Sequence, residues 1–159
     1  FAADLTGELR DKSPHNAPAG IAFRCVDVDD DADVLAFATL SSSGFIEPGD
    51  DPDGEIAIAI KAAVHPRAVN VVATIDGAPA AAGSREVAGD IATRYGVTTL
   101  ERFRGRGVQL ALIRRRLEVA RDHGCRVATI ASKPGIATER NALRAGFLPS
   151  YTHVQMERP

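Results

Sequence analysis

Between Arg102 and Gly107 the chain reads Arg-Phe-Arg-Gly-Arg-Gly, and an apolar helical pattern starts directly after it. Three arginines and two glycines at that spacing suit an anion. A strand that runs into a glycine-bearing loop and then a helix leaves backbone N–H groups without partners at the helix start, where the helix dipole is positive. Glycine matters there because an oxygen cannot approach a backbone shielded by a Cβ. Arginine adds charge and bonds phosphate through two nitrogens at once. Two other phosphate loops are excluded. A Walker A loop needs Gly-Lys-Ser/Thr, which is absent, and a dinucleotide fingerprint needs a third glycine where this chain has Leu110.

Other reactive side chains carry weaker signals. Cys25 and Cys125 lie a hundred positions apart with no CxxC partner, so both read as small buried apolar side chains in a reducing compartment, the cytoplasm. Cys125 beside His123 is the one candidate Cys–His pair. His15, His65 and His123 read as loop or cap residues. Arg114, Arg115 and Arg116 cannot all point one way on a helix and read chiefly as a solvated face. The net charge is −2, yet residues 1–93 hold 16 acidic against 6 basic residues and residues 94–159 hold 5 against 13. That asymmetry suggests one anionic and one cationic partner. Nucleic acid is disfavoured, because only Phe103 interleaves with the arginines and the whole chain is acidic. No apolar run approaches the roughly 20 residues of a membrane span, and no signal peptide is visible. The chain lacks an initiator Met, so a lost N-terminal domain stays open.

The elements that position these residues follow from periodicity and turn chemistry. Residues 1–19, with prolines and glycines and few apolar positions, read as a tail or linker before a domain over residues 20–159. A strand near 20–28 precedes a helix whose start carries an Asp cluster, which favours the positive end of a helix dipole. Residues Glu55 to Val64 read as a second helix, stopped by His65-Pro66. Asp76-Gly77 and Ala88-Gly89-Asp90 read as turns between antiparallel strands at 69–75, 79–87 and 90–99. The long helix spans 107–123, buries Leu110, Ile113, Leu117 and Ala120, and ends at Gly124. A strand begins at Cys125, a helix ends at Gly146, and a last strand runs through Ser150 to Arg158. The expected fold is α/β, a central, mixed and mostly antiparallel sheet flanked by helices, in the order β-α-α-β-β-β-α-β-α-β. The strand–helix–strand unit at 90–132 should be a parallel right-handed crossover.

Arg102-x-x-Gly105-x-Gly107 at the entrance of the long helix resembles the pyrophosphate-binding signature of the GNAT (GCN5-related) N-acetyltransferase superfamily. Glu139 to Phe147 resembles the segment closing the acyl-CoA site in many bacterial members, and the element order matches theirs. The resemblance spans about residues 20 to 158 and is strong from residue 94 onward.

It implies an N-acetyltransferase that moves an acetyl group from acetyl-CoA to a primary amine by direct transfer in a ternary complex. The alternative is a non-catalytic acyl-CoA-binding domain. The backbone of Tyr95, Gly96, Val97 and Thr98 matches the strand edge where pantetheine enters, with a backbone N–H near Val97 facing the thioester carbonyl. Arg102, Phe103, Arg104, Gly105, Arg106, Gly107, Val108 and Gln109 match the pyrophosphate loop. Ala142 stands where many members carry the tyrosine that protonates the leaving thiolate, so Tyr151 is the substitute acid. Gly135 stands where they often carry a cofactor-binding Asn, while Asn141 matches a subgroup's. Glu86 is the candidate base, with His153 behind it. Asp29, Asp30, Asp31, Asp50, Asp51 and Asp53 would make the acceptor side negative and attract a cationic amine. A homodimer stays open, and no metal is implied.

Overall fold

A computed structural model describes residues 1–7 and 17–152. Its elements are β1 (Ala2–Asp4), β2 (Ile21–Cys25), α1 (Asp31–Ser42), α2 (Pro52–Ala63), β3 (Ala68–Ile75), β4 (Ala78–Ala88), β5 (Ile91–Thr99), a 3-10 turn (Glu101–Phe103), α3 (Val108–Asp122), β6 (Val127–Ile130) and α4 (Ala137–Arg144). The described strands form one sheet in the order β1-β6-β5-β4-β3-β2. Neighbours run antiparallel except β5 and β6, which are parallel because α3 carries the chain across the sheet between them. Both tight turns expected between the middle strands are present, with Asp76, Gly77 and Gly89 at positive φ.

Alternation along the strands assigns the two faces. Val72 and Ala82 meet Val34, Phe37 and Ala63 of the first two helices. Their neighbours Val71, Ala73 and Ala81 meet Val108 and Leu112 of α3 on the other side. Leu110, Ile113, Leu117 and Ala120 cover Ala92, Ala128 and Ile130, and Ala142 and Phe147 join that cluster. Strand β4 is sandwiched between α1 and α3, and Ala80-Ala81-Ala82-Gly83 lets both helices approach closely. The helix starts are capped as their sequences suggest: Asp30 accepts from the N–H groups of Ala32 and Asp33, and Asp51 from that of Asp53.

Two expectations need correction. Residues 1–19 do not all form a tail: Ala2–Asp4 pair antiparallel with Val127–Thr129, and Leu5 is buried. Three residues are too few to show a strand period, and β6 supplies the partner. Of the expected last strand only Ser150 to Thr152 fall among the described residues, where they have no regular structure, just after a bridge between Leu148 and Ala2; positions from His153 onward, like His15, lie outside the described residues. Cys25 is exposed, because it ends the sheet's edge strand, whereas Cys125 is buried.

Candidate functional site

Strand β5 is the axis of the site. It pairs with β6 only from Ile91↔Val127 to Arg94↔Ile130. Past that point the two strands part, and residues 95–99 keep their ladder with β4 alone among the described residues. The parting coincides with a bulge. Gly83 faces Val97 and Ser84 faces Tyr95, so Gly96 is the extra residue, at φ +35°. A bulge bends a strand and disrupts its ladder, and here it lies where β5 leaves its parallel neighbour.

The chain then turns through the arginine–glycine segment. The last ladder bond runs from Leu100 N–H to the Ala80 carbonyl, after which Phe103 N–H reaches back to Leu100 and Arg104 N–H to Glu101. Phe103 is 8% exposed and packs into the core under α3. The guanidinium groups of Arg102 and Arg106 lie 4.9 and 5.8 Å from its ring centroid. Phe103 therefore organises the arginines instead of offering a face to a nucleobase. Arg104 is tied by its Nε to the Thr99 carbonyl. Gly105 and Gly107 both adopt left-handed backbone, at φ +74° and +79°. Little or nothing would obstruct a Cβ at either position, so their first role is to make the turn. Gly107 is also the N-cap of α3 and provides no side-chain acceptor. The first N–H groups of the helix thus keep the anion-binding character expected of an uncapped start.

The open strand edge and this helix start meet in one cavity of about 380 Å³, lined by Val97, Thr98, Gly105, Gly107, Val108, Gln109 and, from α4, Arg140, Asn141 and Arg144. Asn141 Nδ2 donates to Gln109 Oε1 at 2.6 Å, and Gln109 Nε2 donates to Thr138 Oγ1 at 3.2 Å. This chain of amides fixes α4 against the helix start. Thr98 contributes backbone only, since its hydroxyl donates to the Ser41 carbonyl and seats the end of α1 on β5. Gly44 permits that seating: a Cβ there would come within 2.6 Å of Thr98 Oγ1.

Of the residues expected to bind a cofactor, Val97, Thr98, Phe103, Arg104, Gly105, Gly107, Val108, Gln109 and Asn141 line the cavity. Tyr95 and Gly96 belong to the bulge, and Arg102 and Arg106 flank Phe103. Neither of the two candidate catalytic residues lines it. Tyr151 is 78% exposed. Glu86 is ion-paired with Arg67 toward the other end of β4, opposite Ala68 and Thr93. Among the described residues, no Asp, Glu, His, Cys or Tyr lines the cavity. Arg140 and Arg144 were missed, although their i,i+4 spacing on the same helix as Asn141 was a readable signal.

The reading of three solvated arginines on α3 also needs correction. Arg115 is paired with Glu118 at the surface, but Arg116 is fully buried, as is Arg85 on β4. Burial first, and the like charge of Arg85 second, push the Arg116 guanidinium down to about 9. Arg85 is lowered chiefly by burial, and its Nη2 donates to the Val119 carbonyl at 3.1 Å. The acidic residues divide as well. Asp30 and Asp31 start α1, whereas Gly44 follows its other end, about 18 Å away by helical rise. Glu47, Asp50, Asp51 and Asp53 follow Gly44, a cavity residue, in the chain.

No family model matches the chain, and no curated protein matches it. Solved structures do. Aminoglycoside N-acetyltransferase AAC(6')-Iy in complex with CoA is 16% identical and superimposes with a TM-score of 0.68, over 87% of this chain and 94% of that one. A predicted acetyltransferase from Clostridium acetobutylicum with acetyl-CoA is 14% identical at a TM-score of 0.64, over 86% and 96%. The aminoglycoside antibiotic 6'-N-acetyltransferase AAC(6')-Ih from Acinetobacter baumannii is 12% identical at 0.64, over 88% and 99%. At these identities the likeness establishes the fold, which is that of the GNAT acetyltransferases.

Proposed function

We propose that the chain is an N-acetyltransferase that passes an acetyl group directly from acetyl-CoA to a primary amine. The single observation that carries this reading is the union, in one cavity, of an opened β5 edge with an uncapped, glycine-turned helix start. One end suits an acyl-thioester arm and the other a pyrophosphate. Structures of this fold in complex with CoA or acetyl-CoA support the same ligand.

In this reading the N–H groups at the start of α3 and the surrounding arginines bind the pyrophosphate. Arg140 and Arg144 add positive charge on the α4 side, and Asn141 holds Gln109 in place. The backbone at Gly96–Val97 faces the thioester carbonyl, where an N–H stabilises the developing oxyanion. The amine attacks the thioester carbonyl as the neutral base; the C–N bond forms, the C–S bond breaks, CoA leaves as the thiolate, and solvent takes the nitrogen's proton and protonates the thiolate. The enzyme's contribution is then positioning and charge stabilisation. The loop carrying Glu47, Asp50, Asp51 and Asp53 favours a cationic acceptor. Acceptors named for proteins of this fold, the aminoglycosides, are polyamines and fit that sign. We place the protein in the cytoplasm, a setting its two free cysteines suit.

Ala142, at the place where many members of the superfamily carry a tyrosine, favours one second reading, a domain that holds acyl-CoA without transferring it. Release of free CoA thiol across a panel of amines separates the two. Acetyl-CoA binding without thiol release from any amine rejects the enzyme. Failure to bind CoA rejects both readings.

A further inference from the structure

We propose that Arg116 is a positioning residue for the acyl-binding gap: its buried guanidinium holds the Ser84 carbonyl on the β4–β5 seam and keeps the bulge at Gly96 open. The inference rests on the function proposed above, because the bulge matters as the place where β5 offers its backbone to a thioester.

Arg116 stands on α3 among Leu112, Ile113, Leu117 and Ala120, all buried. An aliphatic residue there would continue the apolar face at no cost in desolvation. A guanidinium in that place is expensive unless it is hydrogen-bonded, and its Nη2 donates to the Ser84 carbonyl.

The direction of that carbonyl follows from the sheet. Asn70 lies opposite Ser84, and the Asn70 carbonyl accepts from Val26 N–H, on the β2 side. In an antiparallel ladder the polar groups of facing residues both point inward or both outward. The Ser84 backbone therefore turns away from β3 and toward β5. On β5 the register slips at that position: Ser84 faces Tyr95, Gly83 faces Val97, and Gly96 has no counterpart. A bulge locally disrupts the ladder, and Arg116 adds a donor to this carbonyl from the helix side. The strand is notched to admit it. A Cβ on Gly83 would lie 2.8 Å from Arg116 Nη1 and 3.1 Å from its Cζ. Gly83, Gly96 and Arg116 thus form one device across two strands and a helix. Its effect is to separate the acyl end of the cavity from the pyrophosphate end, which does not depend on it.

The test uses R116M and R116K in the full chain, reading CoA and acetyl-CoA affinity, kcat at saturation, and amide NMR shifts and exchange at Gly96 and Val97. R116M should fold, since replacing a buried ion by an apolar side chain of similar volume is often tolerated. It should bind CoA within about twofold of the parent, because the glycine turn is untouched, while kcat falls about tenfold or more as the oxyanion donor shifts. The extra affinity of acetyl-CoA over CoA should shrink, the Gly96 and Val97 amides should move and exchange more slowly, and R116K should recover part of each. A folded R116M with the parent's kcat and amide signals overturns the proposal. So does a kcat loss that merely tracks the folded fraction in both variants. The parent provides a measurement independent of any variant's folding: a hydrogen-bond coupling between the Arg116 guanidinium and the Ser84 carbonyl carbon, whose absence overturns the proposal. If the parent neither binds CoA nor turns over, the proposed function fails, and the amide and coupling measurements on ligand-free protein still decide the bulge.

Discussion

The glycine turn before α3 and the bulge in β5 both rely on glycines at positive φ, and both open backbone to the same cavity. They differ in what builds them. The turn is local: Gly105 and Gly107 set its path, Phe103 anchors it, and the helix start follows within a residue. The bulge is assembled from afar. It needs β4 on one side, the departure of β6 on the other, Arg116 from α3, and α1 seated on Thr98. Local devices leave a spacing in the sequence; assembled ones leave scattered residues with no common period.

That contrast can be broken experimentally. Replacing Gly105 and Gly107 together with alanine should have the largest effect. Acetyl-CoA affinity should fall at least about a hundredfold while the fold stays near native, because strain at φ > 0 costs of order 1–3 kcal/mol per residue and the turn is at the surface. Titration calorimetry with circular dichroism checks both halves, and retained binding would sink the assignment of the turn.

Gly44→Ala probes the assembled region. The added methyl presses on Thr98, so stability should drop by roughly 1–3 kcal/mol as for other overpacked sites, and kcat should fall more than CoA affinity. A urea melt and steady-state kinetics read the two effects. Should CoA affinity fall in step with kcat, the two ends of the cavity are not separable.

Alanine at both Arg140 and Arg144 should weaken CoA binding about tenfold without changing kcat at saturation, and the loss should narrow as salt rises. An unchanged Kd at low salt would remove α4 from the anion site.

The smallest effect belongs to a pair outside the cavity. Arg24 donates two hydrogen bonds to Asp33, which holds that carboxyl below its ordinary range, helped by the Asp27 N–H. A lowered acid contributes stability above its unfolded value of 3.8 and loses it as the pH falls through the folded one. Asp33→Asn should therefore cost less than about 1 kcal/mol at neutral pH, and the cost should shrink as the pH falls below 3.8. Urea midpoints across that range test the sign, and neither kcat nor Kd should move.

How much could be read beforehand follows the same division. The Asp cluster at the start of α1, the Asp76-Gly77 turn and the apolar stripe of Leu110, Ile113 and Leu117 each act within a few residues, and the elements they imply are present. Arg116 misled because three consecutive arginines look alike in a helical pattern, while Gly83 and Ser84, which explain its burial, lie more than thirty positions away. Ala2–Asp4 misled for the same reason, since its partner is β6. Glu86 was singled out by its type and its place in a middle strand, but its ion pair with Arg67 depends on where β3 ends.

By itself the amino-acid sequence determined the order of helices and strands from β2 to α4, the crossover at β5–α3–β6, and the glycine turn with its arginines. Those features come from backbone preference, helix dipole and periodicity, which operate over a few residues. Tertiary structure alone decided that β5 parts from β6 beyond Arg94, that α4 brings Arg140 and Asn141 to the helix start, and that Arg116 points inward. Each of these requires two or three elements packed together, and burial and hydrogen-bond satisfaction in that packing choose among arrangements the local sequence leaves equal.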